Sequence, residues 1–177
     1  MGTTDDYITG RVLENIQKAL HVFDSTEGSL NNNEQAVRIQ KKIQEFEPRI
    51  LSFPEASVYI RKASIIALGE RVCRALHPGS VSTESVFLDE LAEAMICSGQ
   101  ARLASIEDAE QTLKKHSSRP LIISMVSGRY QEICASYPPD CVYWRAEKRG
   151  LHCLKHKNSL SPIKLKIISF DSSDRNQ

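Results

Sequence analysis

Apolar residues recur every three or four positions through the first half of the chain, and that spacing constrains the fold more than any other feature. Ile8, Val12, Ile16, Leu20 and Phe23 fall on one face of a helix predicted over residues 5–23. A polar stretch rich in Ser, Gly and Asn follows. Asn33 then stands where an N-cap belongs, because its side-chain oxygen can accept an otherwise orphaned backbone N–H. The next predicted helix carries Ile39, Ile43, Phe46 and Ile50 as a stripe and ends near Leu51, with Pro48 a point of kinking. Ser52-Phe53-Pro54-Glu55 restarts helix, with Pro in the first turn. A third helix is predicted over residues 54–76. Its apolar positions cover more than half its circumference, as expected of a central helix packed on several sides.

After His77-Pro78-Gly79-Ser80 the pattern changes. Residues 83–98 read as a short amphipathic helix closed by Gly99, and residues 101–104 as a brief strand. Ser105 followed by Asp108 resembles a capping box opening a helix to about His116. Residues 121–136 read as a further helix. The competing reading makes residues 121–126 a buried strand, because Leu-Ile-Ile-Ser-Met-Val is rich in β-formers and Gly128 weakens a helix there. Residues 142–145 and 151–155 read as two strands around a turn, and residues 163–170 as a partly alternating third. The order helix, strand, helix, helix, hairpin is that of a winged helix.

At 177 residues the chain is about one domain long and can bury a core without staples. No segment approaches the roughly 20 apolar residues of a membrane span. The acidic start Met1 to Asp6 is unlike a secretory leader. Five cysteines, an odd number without framework spacing, favour a reduced compartment, nucleus or cytoplasm.

The net charge of +1 conceals an asymmetry. Residues 1–118 hold 13 bases against 17 acids, and residues 119–177 hold 10 against 5. Such an imbalance favours an anionic partner for the last third. Arg119, Arg129, Arg145, Lys148, Arg149, Lys155 and Lys157 are the candidate phosphate contacts, with Arg129 placed to reach base edges. Tyr143 and Trp144 are candidates for stacking on unpaired bases. The plainer alternative is that these bases keep a hairpin soluble and blunt its edge.

Cys134, Cys141, His152, Cys153 and His156 present soft ligands across a turn and a hairpin. No tight Cys-x2–4-Cys pair occurs among them, and buried thiols acting as small hydrophobes account for them better. The eight glycines are scattered singly, leaving no phosphate-cradling loop. Neither a zinc-protease helix motif nor a nucleophile elbow occurs.

The sequence therefore predicts a predominantly α, α+β chain. Residues 1–80 form a helical bundle-like part and residues 81–170 a winged-helix-like part with a small β-hairpin, followed by a disordered tail over 171–177. The expected function is a non-catalytic nucleic-acid-binding module without metal or cofactor, acting through the basic C-terminal surface. The alternative is a protein–protein adaptor or assembly subunit that touches no nucleic acid. A protein partner or self-association would use the amphipathic helices.

Overall fold

Leu-Ile-Ile-Ser-Met-Val is a strand. In the computed structural model, which describes residues 2–26, 30, 33–76 and 84–155, β5 (Leu121–Val126) and β6 (Arg129–Ala135) form a hairpin. Ser127 and Gly128 connect them, both at positive φ (49° and 81°). This is the two-residue turn whose twist matches that of the flanking strands. Gly128 thus marks the turn itself. Helices cover both faces of this hairpin, so β5 is buried almost throughout. That double burial removes the polar alternation by which a half-exposed strand is recognised in sequence.

Four further strands complete one antiparallel sheet in the order β1-β5-β6-β3-β2-β4. They are β1 (Arg49–Leu51), β2 (Ile66–Glu70), β3 (Glu84–Leu88) and β4 (Ala101–Leu103). Seven helices are described: α1 (Thr4–Ile8), α2 (Arg11–Ser25), α3 (Glu34–Glu45), α4 (Phe53–Lys62), α5 (Asp89–Cys97), α6 (Ile106–Lys114) and α7 (Val142–Lys148). The expected bundle followed by a winged helix with a small hairpin is therefore corrected. The chain is a mixed fold with a six-stranded sheet, and strands from both halves pair in it.

The individual departures have local causes. The first predicted helix is interrupted at Gly10, which adopts φ 81° and divides α1 from α2. The third ends at Ala63, where ψ turns extended, and the β-branched Ile65 and Ile66 lead into β2. Gly69 in β2 admits no side chain, since a Cβ there would lie 2.5 Å from the Gln100 carbonyl oxygen. Residues 84–88, read as helix, are β3. Their pattern Ser-Val-Phe-Leu is buried on both faces, as in β5. Residues 142–145, read as strand, open α7, and residues 151–155 contribute only a bridge from Lys155 to Arg49. The predicted caps are present. The Asn33 side chain accepts from the N–H groups of Gln35 and Ala36, and the Ser105/Asp108 box is closed; a further box, Ser52/Glu55, forms where the sequence predicts only a helix start with Pro in its first turn. Residues 156–177, including the third predicted strand and the tail, lie outside the described residues.

The sheet separates two apolar layers. On one face Ile66, Leu68, Val86, Leu88, Ile123 and Ile133 meet Ile60 of α4 and Leu113 of α6. On the other, α1, α2, α3, α5 and α7 cover Ala67, Phe87, Ile122 and Val126. A bulge in β6 sets which residue faces which layer. Ser124 pairs with Glu132 but Met125 with Tyr130, leaving Gln131 as the extra residue. Tyr130 and Ile133 consequently both pack toward α4, while Glu132 turns to the opposite face, under α1. The buried Gln131 side chain donates to the Val126 carbonyl (2.9 Å) and accepts from the Leu91 N–H (2.9 Å), tying α5 to the hairpin.

Glu47 fastens the edge of the sheet. At φ 41°, between α3 and β1, its Oε2 accepts from Lys155 Nζ (2.9 Å), Tyr130 Oη (2.9 Å) and Arg49 Nη2 (3.1 Å). The Lys155 hydrogen bond, then that from Tyr130, holds its carboxyl down at about 2. A depressed carboxyl contributes stability above its unfolded value, and that contribution is lost as pH falls toward 2. The side chain is a third exposed, so screening reduces the effect. Glu47→Gln should cost roughly 1 kcal/mol at pH 7. The deficit should shrink below pH 4.5 in urea denaturation followed by circular dichroism.

Candidate ligand cavity

Between the sheet and the layer formed by α2, α3 and α7 lies a cavity of about 390 Å³. Its floor is the inner face of the central hairpin, Ser124, Glu132 and Cys134, with Tyr7 reaching in from α1. Its walls are apolar, including Ile16, Ala19 and Val22 from α2, Ile39 and Ile43 from α3, and Val142 from α7. Cys73 and the buried Arg71 line it beside the 3-10 helix Val72–Leu76. Its outer margin is polar. Lys18 of α2 and Arg38 and Lys42 of α3 are exposed and line it, together with the uncharged Asn15 and Gln35. Among the described residues, the only acid lining the cavity is the buried Glu132.

Glu132 is the most unusual group of the floor. Its Oε2 accepts from Tyr7 Oη at 2.6 Å and its Oε1 from Ser85 Oγ at 3.0 Å. Burial raises its pKa, and the two hydrogen bonds oppose that rise. Burial likewise pushes the Cys73 thiol to about 11, the Cys141 thiol to about 12, and Cys134 well above its ordinary value. The cavity thus presents thiols, not thiolates, and its cysteines are poor nucleophiles. Tyr143 Oη and Ser124 Oγ share a 3.0 Å hydrogen bond in the same wall.

The residues singled out from sequence are dispersed. Arg119 and Arg129 stand at opposite ends of the β5–β6 hairpin, roughly 20 Å apart at about 3.3 Å per residue. Arg119 lies over the Tyr137 ring, 5.0 Å from its centroid, and Arg129 pairs with Glu90 at 3.2 Å. Lys155 is held by Glu47. Arg145, Lys148 and Arg149 do come together, on the last two turns of α7, but Arg145 pairs with Asp24 and Arg149 donates to the Thr26 carbonyl. Lys148 is exposed. The two aromatics face inward: Tyr143 lines the cavity, and Trp144 Nε1 donates to Ser136 Oγ at 2.9 Å. Lys157 and His156 lie outside the described residues. All five cysteines are free thiols. No group of three or more metal-ligating side chains occurs among the described residues. No helix of the described residues is long and apolar enough to cross a membrane.

Sequence reasoning passed over Tyr7, Lys18, Arg38, Lys42 and Glu132. A signal for Glu132 was present: it is a single acid between Gln131 and Ile133 in an otherwise uncharged run, a pattern that signals a buried carboxyl once the run is read as a strand. No family model, curated protein or solved structure matches the chain.

A carboxyl whose folded pKa is raised contributes most to stability below its unfolded value, and this contribution is lost as pH rises through the folded value. Glu132→Gln removes the titration and keeps the shape. The stability of the wild type relative to this variant should therefore fall as pH is raised from 4.5, as measured by denaturant unfolding at a series of pH values. A constant difference across the series would show that Glu132 is charged to the same extent folded and unfolded.

Proposed function

We propose that this chain is a non-catalytic binding protein that takes a small, largely apolar ligand into the cavity between its sheet and its outer helices. The observation that carries this reading is the cavity itself. A volume of about 390 Å³ falls in the ordinary range for ligand sites, which are mostly apolar with a few placed polar groups. Each methylene of a guest that these apolar walls remove from water contributes about 0.8 kcal/mol to binding. Binding fits the site better than catalysis, because its thiols are held protonated and Glu132 is engaged by Tyr7 and Ser85. Five free thiols suit a reducing compartment, nucleus or cytoplasm.

A second reading, binding of nucleic acid, is favoured by the gathering of Arg145, Lys148 and Arg149 on α7. It ranks lower because two of the three guanidinium or ammonium groups are already used to hold the end of α2. Lys148 is the base to test, since replacing it leaves those ties intact.

For the cavity, the wild type should bind the small neutral fluorescent dye aminonaphthalene at one saturable site. Ala19→Leu/Cys134→Leu, which fills the space from the α2 wall and from the floor, should bind it at least tenfold more weakly while keeping its helical signal and melting temperature. Equal binding by both proteins would place the dye elsewhere and remove the reading. For nucleic acid, anisotropy of labelled DNA and RNA across a salt series should show binding whose logarithmic salt slope falls by about one in Lys148→Glu. Absence of binding at low salt would eliminate that reading.

A further inference from the structure

The charge at the margin of the cavity is of one sign. Lys18, Arg38 and Lys42 come from two different helices, yet all line the same opening, and no exposed acid lines it with them among the described residues. Arg38 and Lys42 are one turn apart on α3 and share a face, which Lys18 meets from α2. The one ion pair found for this trio is loose: Arg38 to Glu34 at 3.8 Å, both side chains largely in solvent. Lys18 and Lys42 have no acidic partner among the described residues. Beneath this margin the walls are mostly apolar, with the buried Arg71 the one charged group among them in the described residues, and the floor carboxyl is already hydrogen-bonded from both sides. A guest suited to the whole site therefore has an apolar body and one anionic end that remains at the surface.

Resting on the reading of the cavity as a ligand site, we propose that its ligand is a single-chain anionic amphiphile of medium length, tail inward and head group between Lys18, Arg38 and Lys42. The volume limits the tail. At roughly 30 Å³ per water-sized group, 390 Å³ accommodates on the order of a dozen non-hydrogen atoms. A long membrane lipid with two chains does not fit. The head group is recognised by charge at an exposed site, so a carboxylate and a phosphate monoester share the required chemistry. The floor, whose carboxyl is already engaged by Tyr7 and Ser85, suits the methyl end of the chain better than it suits a second head group. Orientation thus follows from the position of the exposed cations, Lys18, Arg38 and Lys42, all at the outer margin, whereas the buried Arg71 already has a partner within the protein.

The test compares decanoate, decyl phosphate, decanol and decylammonium on the full chain by displacement of the neutral dye, below their micelle concentrations and over a salt series. Both anions should bind about tenfold more tightly than decanol at low salt, and decylammonium more weakly than decanol. The anion advantage should collapse at high salt and in Lys18→Gln/Arg38→Gln/Lys42→Gln, whose substituted side chains are all exposed, while decanol continues to report on the tail site. Each pair of methylenes removed from the tail should weaken binding about tenfold. A preference for one anion over the other identifies the head group. Equal affinity for decanoate and decanol, or an anion preference that survives the triple substitution, overturns the proposal while leaving an apolar cavity site standing. Dye binding without displacement by any alkyl compound also overturns it. Failure of the dye itself to bind overturns the cavity reading and this inference together.

Discussion

Burial of the β5–β6 hairpin on both faces is the constraint from which the remaining architecture follows. A two-stranded ribbon is marginal alone in water, so its apolar side chains require cover above and below. One side obtains it from α4 and α6, the other from the helices around α2. Because residues alternate across a strand, the second face is supplied by Ile122, Ser124, Glu132 and Cys134, a mixture of apolar and polar groups. The bulge at Gln131 makes this compatible with Tyr130 packing toward α4. The floor of the cavity is thus a by-product of how one hairpin divides its side chains between two layers.

Elements whose identity rests on local chemistry were legible in the sequence. The Asn33 cap, the helix start at Ser52 to Glu55, the Ser105 box, the break after Gly99 and the short strand before Ala104 are all decided within a few residues, and all are present. Elements decided by tertiary burial were not. Residues 84–88 and 121–126 are apolar without alternation, and a segment of that kind fits a buried helix as well as a doubly covered strand until its neighbours are known. Gly10 shows a smaller form of the same difficulty, since the stripe of Ile8, Val12 and Ile16 continues through a point where the backbone leaves the helix.

The site was less legible than the fold. Net charge counts bases without their partners, and Arg129, Arg145 and Lys155 each meet an acid distant in sequence, at Glu90, Asp24 and Glu47. The cations at the cavity margin lie in the half of the chain where acids outnumber bases, so no segment average could reveal them. They are a cluster only because α2 and α3 stand side by side. The buried acid that completes the floor is recognisable as unusual only after β6 is known to be a strand.

The strand order also dictates when the molecule can assemble. Among the described strands, only β5 and β6 are joined by a tight turn. β1 waits for β5, 74 positions along by register of Arg49 with Ile123, and Tyr7 waits for Glu132, 125 positions along. During synthesis, α1 to α4 therefore leave the ribosome before the sheet that will cover them exists. Contacts of such long range make folding slow, and the amphipathic helices spend that interval with their apolar faces uncovered. The central hairpin, local and late, is then the event that allows everything made before it to close.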